Sequence, residues 1–116
     1  MDNFSVGVDI ELISRFQDLS INKSKLFLSK IFTKAEIEYC FSKKNPAQHL
    51  AVRFAAKEAV VKAISYFGKE NVPLNKIEVV KKNNGAPLIK LVGYNIRLSL
   101  SHCKDMAIAF IIAEKS

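Results

Sequence analysis

Three carboxylates and one lysine could carry chemistry in this 116-residue sequence. Asp9 and Glu11 stand two residues apart in an alternating segment, and Glu58 stands four residues before Lys62 in a segment without glycine or proline. Neighbouring carboxylates repel each other unless a cation lies between them. Mg²⁺ binds carboxylate oxygens, and water and phosphate oxygens complete its coordination shell. These residues predict either a metal and phosphate site or, more simply, a surface ion pair and two rim carboxylates neutralised by nearby lysines.

The two histidines give weaker signals. His102 closes a Ser-Leu-Ser-His segment and His49 stands near the start of the longest predicted helix, but a lone histidine is more often structural than catalytic, and no Ser/His/Asp arrangement can be defended. The sequence has no glycine-rich phosphate-binding loop. A nucleotide would therefore have to be held by basic side chains, and the candidates are Lys43, Lys44, Arg53 and Lys57.

Composition and charge narrow the class of protein. The length fits one domain, residues 1–116, and the formal net charge of +7 favours an anionic partner such as nucleic acid, an acidic protein or a phosphorylated small molecule. Cys40 and Cys103 are too few for a disulfide framework, and no apolar run is long enough to span a membrane. We expect a cytoplasmic protein without a membrane segment.

The first strand must position the acidic pair. Phe4, Val6, Val8 and Ile10 alternate with Ser5, Gly7, Asp9 and Glu11, which predicts a strand whose apolar face is buried and whose carboxylates point to one side. The looser pattern from Leu12 to Ile31 predicts two short helices with a break.

The long helix must position Glu58 and Lys62. Thr33 and Glu36 form a capping-box pattern for a preceding helix that ends near Ser42, and Asn45-Pro46 then predicts the start of a helix that runs to Phe67 and stops at Gly68. Small residues flank Glu58, which would allow either a ligand or a tightly packed strand to approach; they are Ala55, Ala56, Ala59 and Ala63.

The rest of the chain is predicted to be β. A hairpin joins residues 76–82 to residues 87–92 through Asn83-Asn84-Gly85. Ile96, Leu98 and Leu100 would face the core, and Met106–Ala113 would form a buried return strand. The predicted class is α+β, with one long helix packed on an antiparallel sheet.

Three blocks in this order carry a family resemblance. They are VGVDIE at residues 6–11, RFAAKEAVVK at residues 53–62 and LSLSH at residues 98–102, with NNGAP at residues 83–87 as a further match. Together they resemble the holo-acyl-carrier-protein synthases, the small bacterial class of the phosphopantetheinyl transferase family. The middle block is the most specific, and the resemblance covers essentially the whole chain.

The resemblance implies the 4′-phosphopantetheinyl transferase fold and transfer of the phosphopantetheine arm of coenzyme A to a serine of apo acyl carrier protein, with release of adenosine 3′,5′-bisphosphate. It implies Mg²⁺, or Mn²⁺, as cofactor and a homotrimer with sites at the subunit interfaces. By position, the metal ligands would be Asp9 and Glu58, the catalytic residues Glu58 and Lys62, the coenzyme contacts Lys44, Arg53, Lys62 and His102, and the carrier-protein contacts Arg15, Lys23 and Lys25.

Two departures from the family pattern affect the site. The second acid of the first block is Glu11 rather than a residue at the position of Leu12, which makes Glu11 a third candidate metal ligand, and a glycine-rich loop after the long helix is replaced by Ser65-Tyr66-Phe67. Two alternatives stay open: a carrier of polyketide or peptide synthesis in place of the fatty-acid carrier, and a basic non-enzymatic module that binds nucleic acid.

Overall fold

The computed structural model describes residues 3–68 and 71–116. Its strands are β1 (Phe4–Leu12), β2 (Glu78–Lys81), β3 (Pro87–Lys90), β4 (Tyr94–His102) and β5 (Met106–Lys115). Its helices are α1 (Lys25–Ile31), α2 (Lys34–Phe41) and α3 (Pro46–Ile64), with short 3₁₀ turns at Ile13–Phe16, Ser65–Phe67 and Leu74–Lys76. None of the helices in the described ranges is long and apolar enough to cross a bilayer.

The strands form two antiparallel sheets. The main sheet has the order β1-β5-β4, and β2 pairs with β3 as a separate hairpin. Helix α3 lies along one face of the main sheet and supplies more of the buried core side chains than any other described element. The predicted α+β class is confirmed.

Local signals in the sequence act as expected at most helix and hairpin ends. Thr33 and Glu36 form the complete capping box that begins α2, and Gly68 follows the 3₁₀ turn after α3 with a φ of 138°. In the β2–β3 hairpin, Gly85 has a φ of 87° and the side chain of Asn84 accepts the Ala86 N–H at 3.0 Å. Asn45 occupies the N-cap position of α3, but its side chain makes no capping hydrogen bond.

The predicted orientation of β1 is wrong. Val6, Val8 and Ile10 are exposed, whereas Gly7 is buried against α3. A β-carbon on Gly7 would lie only 2.0 Å from the carbonyl oxygen of Ala59, so the strand can lie this close to the helix only with its glycine side inward. Asp9, two residues after Gly7, therefore faces the helix.

Strand β5 is only half buried, which corrects the prediction of a fully buried return strand. Its alanines and Ile111 pack under α3, while its larger side chains share the outer face with those of β1. We call this outer surface the apolar sheet face; its exposed members are Phe4, Val6, Val8, Ile10, Leu12, Met106, Ile108, Phe110 and Ile112. Monomeric proteins rarely expose a continuous apolar patch of this kind.

Candidate active site

The close packing of β1 on α3 brings together residues distant in the sequence. Ala55, Ala56, Ala59 and Ala63 are fully buried, and Gly7 lies directly on the backbone of α3. The small residues of α3 therefore serve tight helix–strand packing, one of the two roles open from the sequence. The packing places Asp9 beside the last turn of α3.

An ion pair joins Asp9 to Lys62. The Nζ of Lys62 donates to Oδ1 of Asp9 at 2.9 Å and to the carbonyl oxygen of Val8 at 3.0 Å. The hydrogen bond and the charge of Asp9 raise the pKa of Lys62, so this lysine is a cation at neutral pH. The other oxygen of Asp9, Oδ2, is buried and has no hydrogen-bond partner.

Glu11 and Glu58 lie near the Asp9–Lys62 pair and add negative charge there; we call the cluster of Asp9, Glu11, Glu58 and Lys62 the acidic corner. Burial, then Asp9, then Glu58 raise the pKa of Glu11 to about 7, although Arg15 beside it acts in the opposite direction. Glu58 is half buried, and Lys62 pairs with Asp9 rather than with Glu58. The described residues hold no group of three or more His, Cys, Asp or Glu side chains already close enough to enclose a metal. The acidic corner is therefore a cluster of carboxylates with one unpartnered buried oxygen rather than a formed metal site.

A cavity of about 330 Å³ opens between α3, the β2–β3 hairpin and β4. Its basic, imidazole and phenol side chains are Arg53, Lys81, His49, His102 and Tyr39, and Gln48, Gly85, Pro87 and Ser99–Ser101 complete much of the wall. We call it the cation cavity. Among the residues that the structure describes, no carboxylate lines it, so it favours an anionic ligand.

Tyr39 stands at the centre of the positive charge. Cationic groups lie over its ring from three elements: Arg53 at 4.4 Å, Lys43 at 4.6 Å and Lys81 at 5.1 Å from the ring centroid. Burial raises the pKa of the Tyr39 phenol, but these three cations outweigh it and the net shift is downward. Burial and the same cations lower the pKa of His49, so the neutral imidazole is favoured there.

Two side chains in the cation cavity retain hydrogen-bonding capacity. The guanidinium of Arg53 donates to the carbonyl oxygen of His49 at 3.4 Å, but its buried Nε has no hydrogen-bond partner. His102 is exposed, and the amide of Gln48 donates to its Nε2 at 3.0 Å. His102 is therefore open to an anionic ligand, and Arg53 contributes its positive charge to the cavity wall.

Strand register connects the cation cavity to the acidic corner. His102 pairs with Ala107, and Ala107 pairs with Glu11 on the other side. Directly paired residues of an antiparallel sheet share a face, so Glu11 and His102 lie on the helix-covered side about 10 Å apart. The two regions form one continuous candidate site along the edge of α3.

The predicted basic residues differ in whether they line the cation cavity. Arg53 and His102 lie in the cation cavity, whereas Lys44 is exposed and is not among its lining residues. Lys57 is fully buried, so the expectation that it could hold a nucleotide directly is wrong. Sequence reasoning missed Tyr39 and Lys81, because only the folded hairpin brings Lys81 over a ring of α2.

The predicted carrier-protein contacts lie on an outer basic surface. Arg15 pairs with Glu11 while its guanidinium lies 5.6 Å from the ring centroid of Phe54. Lys23 and Lys25 are exposed at the start of α1. Exposed apolar side chains accompany them, namely Ile21, Leu26 and Phe27.

Comparison with known proteins gives a consistent result. Residues 5–111 match the family model described as the 4′-phosphopantetheinyl transferase superfamily. A holo-[acyl-carrier-protein] synthase from Thermodesulfovibrio yellowstonii is 43% identical over 92% of this chain and 95% of its own length. The corresponding synthase from Chlamydia muridarum is 42% identical over 96% of this chain and 94% of its own length.

Solved structures agree in fold. The crystal structure of a holo-(acyl-carrier-protein) synthase from Bacillus anthracis in complex with CoA (3′,5′-ADP) has a TM-score of 0.80 and 32% identity, covering 97% of this chain and 96% of that one. The Helicobacter pylori synthase in complex with coenzyme A has a TM-score of 0.78 and 31% identity, covering 94% and 99%.

Proposed function

The chain belongs to the 4′-phosphopantetheinyl transferase superfamily, and from that premise we propose how its residues divide the work of the reaction. The reaction is that of a holo-[acyl-carrier-protein] synthase, in which the serine hydroxyl of an apo acyl carrier protein attacks the β-phosphorus of coenzyme A. A phosphorus–oxygen bond forms to the serine, the bond to the α-phosphate oxygen breaks, and adenosine 3′,5′-bisphosphate leaves. The serine proton must pass to a base.

The observation that carries the assignment is the pairing of an incomplete acidic corner with a cation cavity at one helix edge. Asp9 has one oxygen on Lys62 and one buried oxygen without a partner, while Arg53, Lys81 and Lys43 concentrate positive charge at the other end. Coenzyme A carries a pyrophosphate and a separate phosphate monoester. A ligand with two anionic parts fits a site that is basic at one end and open to a cation at the other.

The acidic corner suits a hard divalent cation. The unpartnered Oδ2 of Asp9 and the carboxylates of Glu11 and Glu58 offer oxygen ligands, and Mg²⁺ needs only one or two from the protein when phosphate oxygens complete its shell. Asp9 and Glu58 would hold Mg²⁺, or Mn²⁺, with Glu11 as a third ligand. When bound, the ion supplies charge neutralisation to the pyrophosphate.

Lys62 and Glu58 act on the reacting groups. Lys62 is exposed, cationic and held by Asp9, so it can donate to pyrophosphate oxygens and stabilise the charge that develops on the leaving group. Glu58 stands one helical turn earlier and is the proposed acceptor of the serine proton.

The 3′-phosphate end of coenzyme A is proposed to bind in the cation cavity. Arg53 has an unused buried donor there, and His102 lies at the rim, so both are proposed contacts of the 3′-phosphate region. Lys44 is exposed outside the cavity wall and could reach only the outer side of the ligand.

The carrier protein is proposed to dock on the surface of Arg15, Lys23 and Lys25. Three cations beside exposed Leu26 and Phe27 suit an acidic helix with an apolar stripe. Arg15 also contacts Glu11, which places this docking surface next to the acidic corner.

A homotrimer with sites at subunit interfaces is proposed from the apolar sheet face. Directly paired side chains such as Val8 and Phe110 stand exposed side by side, and covering them requires another protein surface. Sedimentation should give three copies per particle, and Phe110→Lys should release smaller species.

A cytoplasmic location is proposed as well, because both cysteines are free thiols.

Intact mass spectrometry of an apo acyl carrier protein tests the function. Incubation with this protein, coenzyme A and magnesium should add one phosphopantetheine group to the carrier, and a chelator should abolish the gain. A carrier whose acceptor serine is replaced by alanine is the matched control and should gain nothing. A folded preparation that binds no coenzyme A and modifies no carrier would refute the proposal and favour the nucleic-acid-binding module.

A further inference from the structure

A second carboxylate–lysine pair lies on α3, away from the acidic corner and out of contact with solvent. Lys57 stands one residue before Glu58, and its Nζ lies 2.7 Å from Oε1 of Glu36. Both side chains are essentially inaccessible, with 0% and 1% exposed. Burial lowers the pKa of Lys57, whereas the charge of Glu36 opposes that shift.

Every strong hydrogen-bonding position of the Lys57 ammonium is used. Besides Glu36, Nζ donates to the carbonyl oxygen of Leu74 at 3.1 Å and to that of Ile77. An ammonium has three protons, so none remains for a ligand. Lys57 cannot be a substrate contact in this arrangement.

Glu36 makes further hydrogen bonds to the backbone of β2 and of the α2 N-cap. Its Oε2 accepts the N–H of Val79 at 2.7 Å, and its Oε1 accepts the N–H of Thr33 at 2.8 Å. The hydroxyl of Thr33 in turn donates to Oε2 of Glu78 at 2.8 Å. The pair therefore ties the start of β2 to both α2 and α3.

These ties end next to the cation cavity. Arg53 stands one helical turn before Lys57 on α3, and Lys81 stands two residues after Val79 on β2. Gly85 and Pro87 of the same hairpin line the opposite wall of the cavity from α3. The position of the hairpin relative to α3 sets how far Lys81 lies from Arg53.

We propose that Lys57 and Glu36 are positioning residues for coenzyme A: their buried pair fixes the β2–β3 hairpin against α3 and so sets the geometry of the cation cavity. The inference rests on the proposed function for the identity of the ligand. The physical reason is that an apolar contact would hold the hairpin without specifying its register, whereas charge-assisted hydrogen bonds to three fixed backbone groups of residues 74–79 specify it.

Two variants separate positioning from stability. Lys57→Met removes the ties to Leu74 and Ile77 but leaves Glu36 as an unpaired buried charge. The double variant Glu36→Gln/Lys57→Met removes both charges and keeps a side chain allowed in the capping box, so it recovers part of the lost stability without restoring the ties. Leu28→Ala is the matched control, because Leu28 is a buried core residue of α1 and makes none of these hydrogen bonds.

Hydrogen exchange and steady-state kinetics give the readouts. In the double variant, the hairpin amides of Val79 and Lys82 should exchange about tenfold faster than in the parent protein. The KM for coenzyme A should rise about tenfold while kcat changes by less than about threefold, as for the loss of a supporting group behind a binding residue. Leu28→Ala should lower stability and leave both the hairpin exchange and the KM for coenzyme A near the parent values.

Opposite results would overturn the inference. If the KM for coenzyme A returns to the parent value in the double variant, or rises equally in Leu28→Ala, the pair contributes stability alone. Unchanged exchange at the hairpin amides would refute the tie itself. If the proposed function is wrong, the parent protein will modify no carrier. Hydrogen exchange needs no turnover, so it would still test whether the Lys57–Glu36 pair fixes the hairpin.

Discussion

Helix α3 carries two lysines five residues apart, and each pairs with a carboxylate from another element. The Lys57–Glu36 pair spans 2.7 Å with side chains 0% and 1% exposed, and the Lys62–Asp9 pair spans 2.9 Å with side chains 56% and 11% exposed. The two distances are nearly the same. What differs is how completely each pair is satisfied.

The comparison shows how to separate a structural ion pair from one that awaits a ligand. Around Lys57 and Glu36 every donor and acceptor finds a partner within the chain. Around Lys62 and Asp9, one carboxylate oxygen is buried without a partner and the ammonium faces solvent. An unsatisfied buried oxygen is costly, so in the proposed function Oδ2 of Asp9 is the atom that a bound cation would complete.

The largest expected effect on stability is that of Lys57→Met, which tests the difference between the two ion pairs. Removing one partner of a buried pair leaves a desolvated charge, so the free energy of unfolding should fall by about 3–5 kcal/mol. The matched variant Lys62→Met should leave the free energy of unfolding nearly unchanged, because that pair is open to solvent. Urea denaturation followed by circular dichroism measures both, and equal losses in the two variants would erase the distinction between the pairs.

The reverse ranking is expected for activity. Lys62→Met should lower kcat/KM by about 10²–10³-fold, since it removes a cation that stabilises the leaving pyrophosphate. Lys76→Met, at another exposed lysine, should have no comparable effect. Carrier modification followed by intact mass over time gives the rates, and near-normal turnover in Lys62→Met would remove this lysine from the proposed chemistry.

The sequence predicts the elements of this fold better than the faces they present. The capping box at Thr33 and the turn at Gly85 are local interactions, and both form as predicted. The buried face of β1 was mispredicted because the rule assigns large apolar residues to the core of the same chain, whereas Val6 and Val8 lie on the apolar sheet face. A rule based on apolar alternation does not register that only the glycine side of β1 can lie this close to α3.

In the candidate site as well, sequence motifs identify residues, but tertiary contacts determine their roles. The family blocks led to Asp9, Lys62 and Arg53, and the structure brings Asp9 to Lys62 and places Arg53 in the cation cavity. As a basic side chain in a sequence without a phosphate-binding loop, Lys57 is a candidate ligand contact, but it is buried with Glu36, which is 21 residues earlier in the chain. Only tertiary contacts distinguish these neighbouring roles.

A smaller, selective effect is expected from Gly7→Ala. The added methyl would lie 2.0 Å from the backbone oxygen of Ala59, so β1 must move away from α3 at a cost of about 1–3 kcal/mol. The shift separates Asp9 from Lys62 without touching Lys57, so kcat/KM should fall while hydrogen exchange at Val79 stays at the parent value. Ser5→Ala, on the same face of β1, is the control and should change neither.

The smallest expected effect comes from neither lysine but from His49 in the cation cavity. Burial, followed by Arg53, Lys43 and Lys81, lowers its pKa below the ordinary 6.5 of the unfolded chain. As the pH falls below about 6.5, His49 therefore binds more protons in the unfolded state than in the folded state, and its contribution to stability decreases. Above that pH His49 is neutral in both states and contributes no slope.

Replacement of His49 isolates this contribution. Glu11, whose pKa is raised to about 7, binds more protons in the folded state over about pH 7.5 to 5.5 and contributes the opposite slope equally in both proteins. As the pH falls through this range, the urea midpoint of the parent protein should therefore decrease relative to that of His49→Gln, because glutamine does not titrate. A bound phosphate monoester would oppose the effect of the neighbouring cations on His49, so adenosine 3′,5′-bisphosphate should reduce this difference between the two proteins. Identical slopes for both proteins without ligand would show that the positive charge of the cavity does not reach this imidazole.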